Sequence, residues 1–265
     1  ALGPLGQPVV VENRGGLLTA EIVSKAPPDG YTVSLSGGAL WIAPLLQKLP
    51  YDVVRDFSPV SLIVREVSIV AVHPSLPAKS VQELIALARS RPGELNYSST
   101  SVGGSGHLAM ELFKSMAGVN IVNVVYKGNA PAINALISGE VQIAILDAGL
   151  VTPHATSGRL RALAVTSATP STLVPGLPTL AASGLAGYES IGVSGILAPA
   201  RMPNAIISRL NQEIVRFLSR AEVRLVFLNA GEEVIASSPE QFALAIQSDI
   251  AKWGKVIKDA GIRVD

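Results

Sequence analysis

The sequence predicts an α/β fold of mostly parallel sheet flanked by helices, built as two lobes. Three observations predict it. Short Val- and Ile-rich runs alternate with segments of helical period along the whole chain, the pattern of strand–helix–strand units. Val141 to Leu146 is a continuous apolar run, as expected of a parallel strand buried on both faces. The C-terminal third is mostly helical and needs a sheet to pack on, so the chain is expected to leave an N-terminal lobe, build a second one and return.

In order, residues 8–12 (PVVVE) read as a short buried strand, and Asn13 to Gly16 as a turn. A helix is expected over Leu17–Ala26, ended by Pro27-Pro28-Asp29-Gly30, then a strand over Tyr31–Ser36 and a short helix over Ala39–Gln47. Pro59 to Val72 reads as a long strand or strand pair. Ser80 and Glu83 form a capping box ahead of a helix that Arg91-Pro92-Gly93 ends. After a strand at Tyr97, Ser105 is the expected cap of a helix carrying Leu108, Met110, Leu112, Phe113 and Met116. Ile121–Tyr126 is a strand, Asn129 and Pro131 start a helix, and Gly139 stops it. Leu160–Ser167 and Tyr188–Ala198 read as strands, with irregular surface over Thr169–Gly187 between them. Asn204 is the expected cap of a helix bearing Ile207, Leu210, Ile214 and Phe217, and a short helix follows over Glu222–Asn229. Ser238 to Gln241 form a second capping box, for a helix that ends at Gly261.

Composition excludes several function classes. Of 265 residues, 48% are hydrophobic and 15% charged, well under the roughly 25% charge of average globular chains, so a large core is easily built. Net charge is +1 with no basic run, which leaves no electrostatic footprint for nucleic acid. The absence of cysteine removes disulfides, thiolate metal sites and cysteine nucleophiles. No apolar run reaches the ~18 residues of a membrane span and no signal peptide is present; the chain opens ALGPLG and reads as mature or truncated.

The stretch that carries most chemistry runs from Asn96 to Gly118, a strand, a Gly/Ser-rich loop and a helix. Glycines allow close backbone approach, and a first helical turn offers unpaired N–H groups with a partial positive charge. Ser98 to Gly106 is therefore either an anion cradle for a carboxylate or phosphate or a tight turn without a ligand. Ser36-Gly37-Gly38 is a second small-residue loop at the carboxyl end of a strand, where ligands bind in open α/β sheets. Asp147 ends an apolar strand, as a pocket residue or as a cap. Lys127 meets either an anionic ligand or solvent. His107 alone of the three histidines is placed for ligand contact, the alternative being a local hydrogen bond. Trp41 and Trp253 read as core anchors. Gly103-Gly104-Ser105-Gly106-His107 and Gly192 to Ile196 both miss the G-x-S-x-G elbow, and no P-loop, H-E-x-x-H or dinucleotide fingerprint occurs. No nucleophile–base pair, metal cluster or cofactor motif emerges, so no catalytic residue, metal or cofactor is expected.

Several blocks in order extend these readings: LGQPVVVENR (5–14), APPDGYT (26–32), KLPYDVVRDFSPVSLI (48–63), LNYSSTSVGGSGHLAMELFKSMAG (95–118), VVYKGNAPAINALISGEVQIAILD (124–147), GRLRALAVTSA (158–168), GILAPARMPNAIISRLNQEI (195–214) and WGKVIKDAGI (253–262). With these blocks the chain resembles, over essentially its whole length, the Bug receptors, the TctC-like substrate-binding proteins of tripartite tricarboxylate transporters abundant in Bordetella and its relatives. The resemblance implies a two-lobed periplasmic-binding-protein type II (Venus-flytrap) fold, with a first lobe of residues 1–72 and 195–265 and a second of 73–194. Closure about crossing strands near residues 72 and 195 follows from it. It implies a monomeric periplasmic receptor for a small carboxylate or amino acid, held between the lobes and delivered to membrane transporter subunits. The carboxylate would be held by backbone N–H groups, small hydroxyls and waters, with Ser36, Gly37 and Gly38 in the first lobe and Ser99, Gly103, Gly104 and Ser105 in the second. Tyr126, Lys127, Gly128 and Asp147 would line the same site. The family's opening strand and Pro-Gly-Gly loop, and its longer glycine-rich turn after ENR, have no counterpart here. A partner of a membrane sensor kinase and an α/β enzyme using His107 and Asp147 as acid and base are the alternative readings.

Overall fold

The computed structural model describes Gly6, residues 8–14 and residues 17–263. The expected turn at Gly15-Gly16 lies outside the described residues. The elements in order are α1 (Leu17–Ser24), β1 (Ser34–Gly37), α2 (Ala39–Ile42) with a 3-10 turn over Ala43–Leu45, α3 (Val53–Asp56), β2 (Phe57–Val72), α4 (Val81–Ser90) and β3 (Asn96–Ser99). They continue as α5 (Ser105–Ala117), β4 (Val122–Val125), α6 (Asn129–Ser138), β5 (Ile143–Asp147), α7 (Ala148–Thr156), β6 (Arg161–Val165) and β7 (Ile191–Pro199). The chain ends in α8 (Asn204–Leu218), α9 (Ala221–Asn229), β8 (Glu232–Val234) and α10 (Pro239–Ala260).

The chain divides into two compact units. Unit 1 holds residues 1–65, 193–228 and 233–254; unit 2 holds 66–192, 229–232 and 255–265. The changeovers fall inside β2, at Arg65/Glu66, and inside β7, at Gly192/Val193.

In unit 1, β1 pairs antiparallel with β7, Ser36 opposite Gly195 and Gly37 opposite Ser194. Gly195 is required there, because a Cβ would lie 2.5 Å from Phe242 Cζ and 2.7 Å from the Ser61 carbonyl oxygen. The apolar face of α8 (Ile207, Leu210, Ile214) packs on Val60, Ala198 and Met202. Trp41 stands edge-on to Phe242 and donates from Nε1 to Asp249 at 3.2 Å. The expected capping box of α10 is formed reciprocally: Ser238 Oγ accepts from the Gln241 amide at 3.2 Å, and Gln241 Oε1 accepts from the Ser238 amide at 3.0 Å.

The expected buried strand at 8–12 is not formed. Residues 8–14 are irregular, and Val10 is 81% exposed. Three consecutive valines favour extended backbone, but a strand exists only where another edge accepts its N–H and C=O groups.

In unit 2 the strand order is β6-β2-β5-β3-β4. β3 is parallel to both β4 and β5, whereas β2 is antiparallel to β5 and β6, so the sheet is mixed and parallel pairing is confined to β5-β3-β4. Strand alternation sends Ile143 and Ile145 into a core with Tyr97, Met110, Phe113 and Leu84. It sends Ala144 and Leu146 to the other face, against Ile133, Leu136 and Val151. Helices α4 and α5 therefore cover one face and α6 and α7 the other. Because β5, β3 and β4 run the same way, their carboxyl ends and the starts of α5, α6 and α7 lie at one edge of the sheet.

Candidate ligand-binding site

That edge holds a pocket lined by Ser99 and Thr100 after β3, Ser105 and Gly106 on α5, Asn129 on α6, and Ile145, Leu146 and Asp147 on β5. Its cavity volume is about 20 Å³. One water needs roughly 10–15 Å³ on that measure, so the pocket takes a small polar head group. No lysine, arginine or histidine is among the lining residues.

The helix start differs from the expected one. Gly104, not Ser105, occupies the cap position of α5, with extended backbone and no side-chain cap. A Cβ on Gly104 would lie 2.5 Å from Ser101 Oγ, so the turn admits only glycine without rearrangement. Ser105 becomes the first helical residue, and its hydroxyl lines the pocket. One residue on, a Cβ on Gly106 would stand 2.7 Å from the Ile145 carbonyl oxygen. This glycine brings the first turn of α5 directly onto β5 and so builds the pocket wall. The start of α6 is likewise without a side-chain cap, with Gly128 preceding it at φ +104°, a conformation that favours glycine. By contrast α3, α4 and α10 have Asp52, Ser80 and Ser238 accepting from their first-turn amides. Two first turns without a side-chain cap thus flank the pocket and present backbone donors and partial positive charge to it, from residues 105–107 in α5 and 129–130 in α6, where Pro131 has no N–H. The expected cap Asn204 of α8 is also displaced by one: Pro203 precedes the helix and Asn204 is its first residue.

Two of the lining side chains, Ser99 and Asp147, offer acceptors to the site. Ser99 is buried and donates its Oγ proton to Asn123 Oδ1 at 2.7 Å, leaving only lone pairs for a ligand. Asp147 precedes α7 without capping it. It lies opposite Ser68 of β2, whose hydroxyl bonds to its carboxylate. Burial pushes the Asp147 pKa up, and the Ser68 hydrogen bond partly opposes this. Glu232 is pushed up by burial and by the neighbouring charge of Asp147.

Of the expected site residues, Ser99, Ser105 and Asp147 come together in this pocket. Gly104 caps the α5 wall. Gly103, at φ +75°, gives its amide to His107 Nδ1 at 2.9 Å and is thereby spoken for. Tyr126 donates to Glu140 at 2.8 Å and Lys127 is exposed; neither is among the lining residues. Their neighbour Asn129 is. Ser36, Gly37 and Gly38 belong to unit 1, where Ser36 Oγ bonds to Ser34 Oγ at 3.2 Å. His107 is buried and makes the local hydrogen bond, and burial holds its pKa below the usual imidazole value. Trp41 and Trp253 are buried in the core. Thr100 and Gly106 fall inside the Ser98–Gly106 loop marked by the sequence without being singled out, whereas Asn129, Ile145 and Leu146 were missed as lining residues; their signal was a position beside a strand end or helix start.

A polar pocket at the carboxyl edge of a sheet, between helix starts, lies where open α/β sheets bind small ligands. A family model described as "Tripartite tricarboxylate transporter family receptor" matches residues 2–262, and the chain belongs to that family. Its members are substrate-binding receptors that work with membrane transporter components, not enzymes. Protein BugT of Bordetella pertussis is 34% identical over 98% of this chain and 82% of its own length. A solved structure described as "R. palustris Rpa4515 with adipate" is 36% identical with a TM-score of 0.86, covering 98% of this chain and 89% of that one. Another, MatC (Rpa3494) of Rhodopseudomonas palustris with bound malate, is 27% identical with a TM-score of 0.81, over 96% and 90%. The α/β architecture is that of these solute-binding proteins, and no helix among the described residues is long and apolar enough to cross a membrane.

Proposed function

We propose that the chain is a monomeric periplasmic receptor that captures one small organic acid by its carboxylate in the unit 2 pocket and presents it to the membrane subunits of a tripartite tricarboxylate-type transporter. The observation that carries this reading is the pair of uncapped first turns, α5 and α6, meeting at a pocket lined by small hydroxyls and no cationic side chain. The N–H groups of the Ser105–Gly106 turn and of the α6 start would receive the carboxylate, with Thr100 and Ser105 hydroxyls beside them. Binding by oriented dipoles rather than by a fixed positive charge allows release, which delivery requires. Adipate in one similar structure and malate in another make mono- and dicarboxylates of three to six carbons the first ligands to try.

Thermal unfolding against a panel of such acids tests this. A ligand at 100 times its dissociation constant adds about 2.7 kcal/mol, a rise of roughly 5–10 °C for a chain of this size. No shift with any carboxylate, with direct calorimetry also silent, would sink the reading.

A further inference from the structure

We infer that Asp147 is a specificity residue that selects acids carrying a hydrogen-bond donor, a hydroxyl or an ammonium, on the carbon next to the bound carboxylate. This rests on the carboxylate-receptor reading above and narrows its ligand class.

The argument is one of donors and acceptors across a small space. One wall of the pocket is donor-rich, formed by the first turns of α5 and α6. Beside the Thr100 and Ser105 hydroxyls, the same pocket holds two groups that offer acceptors. Ser99 Oγ spends its proton on Asn123 and turns lone pairs to the pocket. Asp147 presents a carboxylate whose hydrogen bond is to Ser68, and no cation pairs with it among the described residues. Glu232 adds a second carboxylate to the same field. A simple carboxylate seated on the donor wall would leave these acceptors facing its negative charge or its apolar chain across a distance of a few ångströms. An unpaired buried acceptor is costly, and like charges in a shielded site repel. A 2-hydroxy or 2-amino acid removes the conflict: its carboxylate takes the helix amides while its adjacent donor reaches Asp147. A site built to pair with a ligand donor rejects analogues that lack it far more strongly than an apolar pocket rejects a methylene.

Calorimetric titration with matched series tests this: propionate, lactate and alanine; succinate, malate and aspartate; glutarate, 2-hydroxyglutarate and glutamate. In the series whose chain length fits, the hydroxy or amino member should bind at least tenfold more tightly than its parent acid. Asp147→Ala should bring that preference to within threefold, largely by weakening the donor-bearing member. Asp147→Asn keeps an acceptor oxygen without charge, so it should retain a hydroxy-acid preference and lose an amino-acid one. It also serves as the deciding variant if Asp147→Ala does not fold. A parent acid that binds wild-type protein as tightly as its substituted partners overturns the inference while leaving the receptor reading intact. A preference unchanged in Asp147→Ala overturns it equally. Binding of no acid in any series overturns the receptor reading, and this inference with it.

Discussion

Asp147 sits at the point where binding and stability pull in opposite directions. Burial raises its pKa, so the folded state holds the proton more tightly than the unfolded chain, whose aspartates titrate near 3.9. That contribution is fully present below about pH 3.9 and is lost as pH rises through the folded value. Asp147→Asn should therefore stabilise the ligand-free protein at neutral pH and change it little at about pH 3.5, read as urea midpoints at the two pH values. A variant equally stabilising at both would show that packing, not charge, is responsible. His107 behaves in the opposite sense. Its folded pKa lies below the unfolded value near 6.5, so its contribution is present above about pH 6.5 and is lost as pH falls through the folded value. Protonation of Nδ1 would also expel the Gly103 amide and loosen the loop. His107→Gln, which cannot titrate, should flatten the acid limb of the stability curve below about pH 6.5; an unchanged limb would place the acid sensitivity elsewhere.

At the scale of elements, the site depends on how closely α5 approaches β5. Gly106→Ala places a Cβ 2.7 Å from the Ile145 carbonyl oxygen, which has backbone on both sides and cannot swing away. Overpacking of this kind costs typically about 1–3 kcal/mol. Because the displaced element carries the donor wall, ligand affinity should fall together with stability. Gly254→Ala is the matching control, since a Cβ there meets nothing within 4 Å and lies inside α10, where alanine is favoured by about 1 kcal/mol. Urea unfolding and calorimetry on both variants check the pair, and equal effects from both would remove the special role assigned to the α5–β5 contact. The capped helices α4 and α10 show the same chemistry put to a structural use. There a serine side chain fills the acceptor role that the pocket leaves to a ligand.

For the whole molecule, the arrangement is a division of labour between strand and helix ends. The long β2 and β7 each begin in one compact unit and end in the other, and the pocket lies wholly inside unit 2. Ligand binding should therefore slow amide hydrogen exchange most strongly over the first turns of α5 and α6, at residues 105–107 and 129–130. Protection spread evenly over unit 2, with no excess at these turns, would mean general stabilisation rather than capture of a carboxylate by their N–H groups.

Much of this was determined by the sequence alone. Alternating periods of two and 3.6 residues set the order of strands and helices. The capping box at Ser238 and the cap Ser80, whose partner Glu83 reaches the Lys79 amide instead of the Ser80 amide, set two helix starts, and the Gly/Ser run before His107 marked the loop that bears the pocket. These are local properties: a period, a cap and a φ preference act within four residues of one another. The family blocks, ordered along the chain, lay in the sequence as well. What only tertiary structure decided involves residues distant in sequence. Val9 to Val11 are apolar enough for a strand, yet no edge among the described residues pairs with them. Alternation suggested mostly parallel pairing; which strands break it was open, and β2 runs antiparallel to β5 and β6 because direction is set by where the chain re-enters the sheet. Ser105 has the chemistry of a cap, yet the chain enters α5 one residue earlier, so Gly104 takes that place and Ser105 is the first helical residue. Tyr126 and Lys127 were as plausible as Asn129, and only the packing of α6 on the sheet turns Asn129 to the pocket and Tyr126 to Glu140. Proximity across such sequence separations follows from the close packing of the core, which no local pattern encodes.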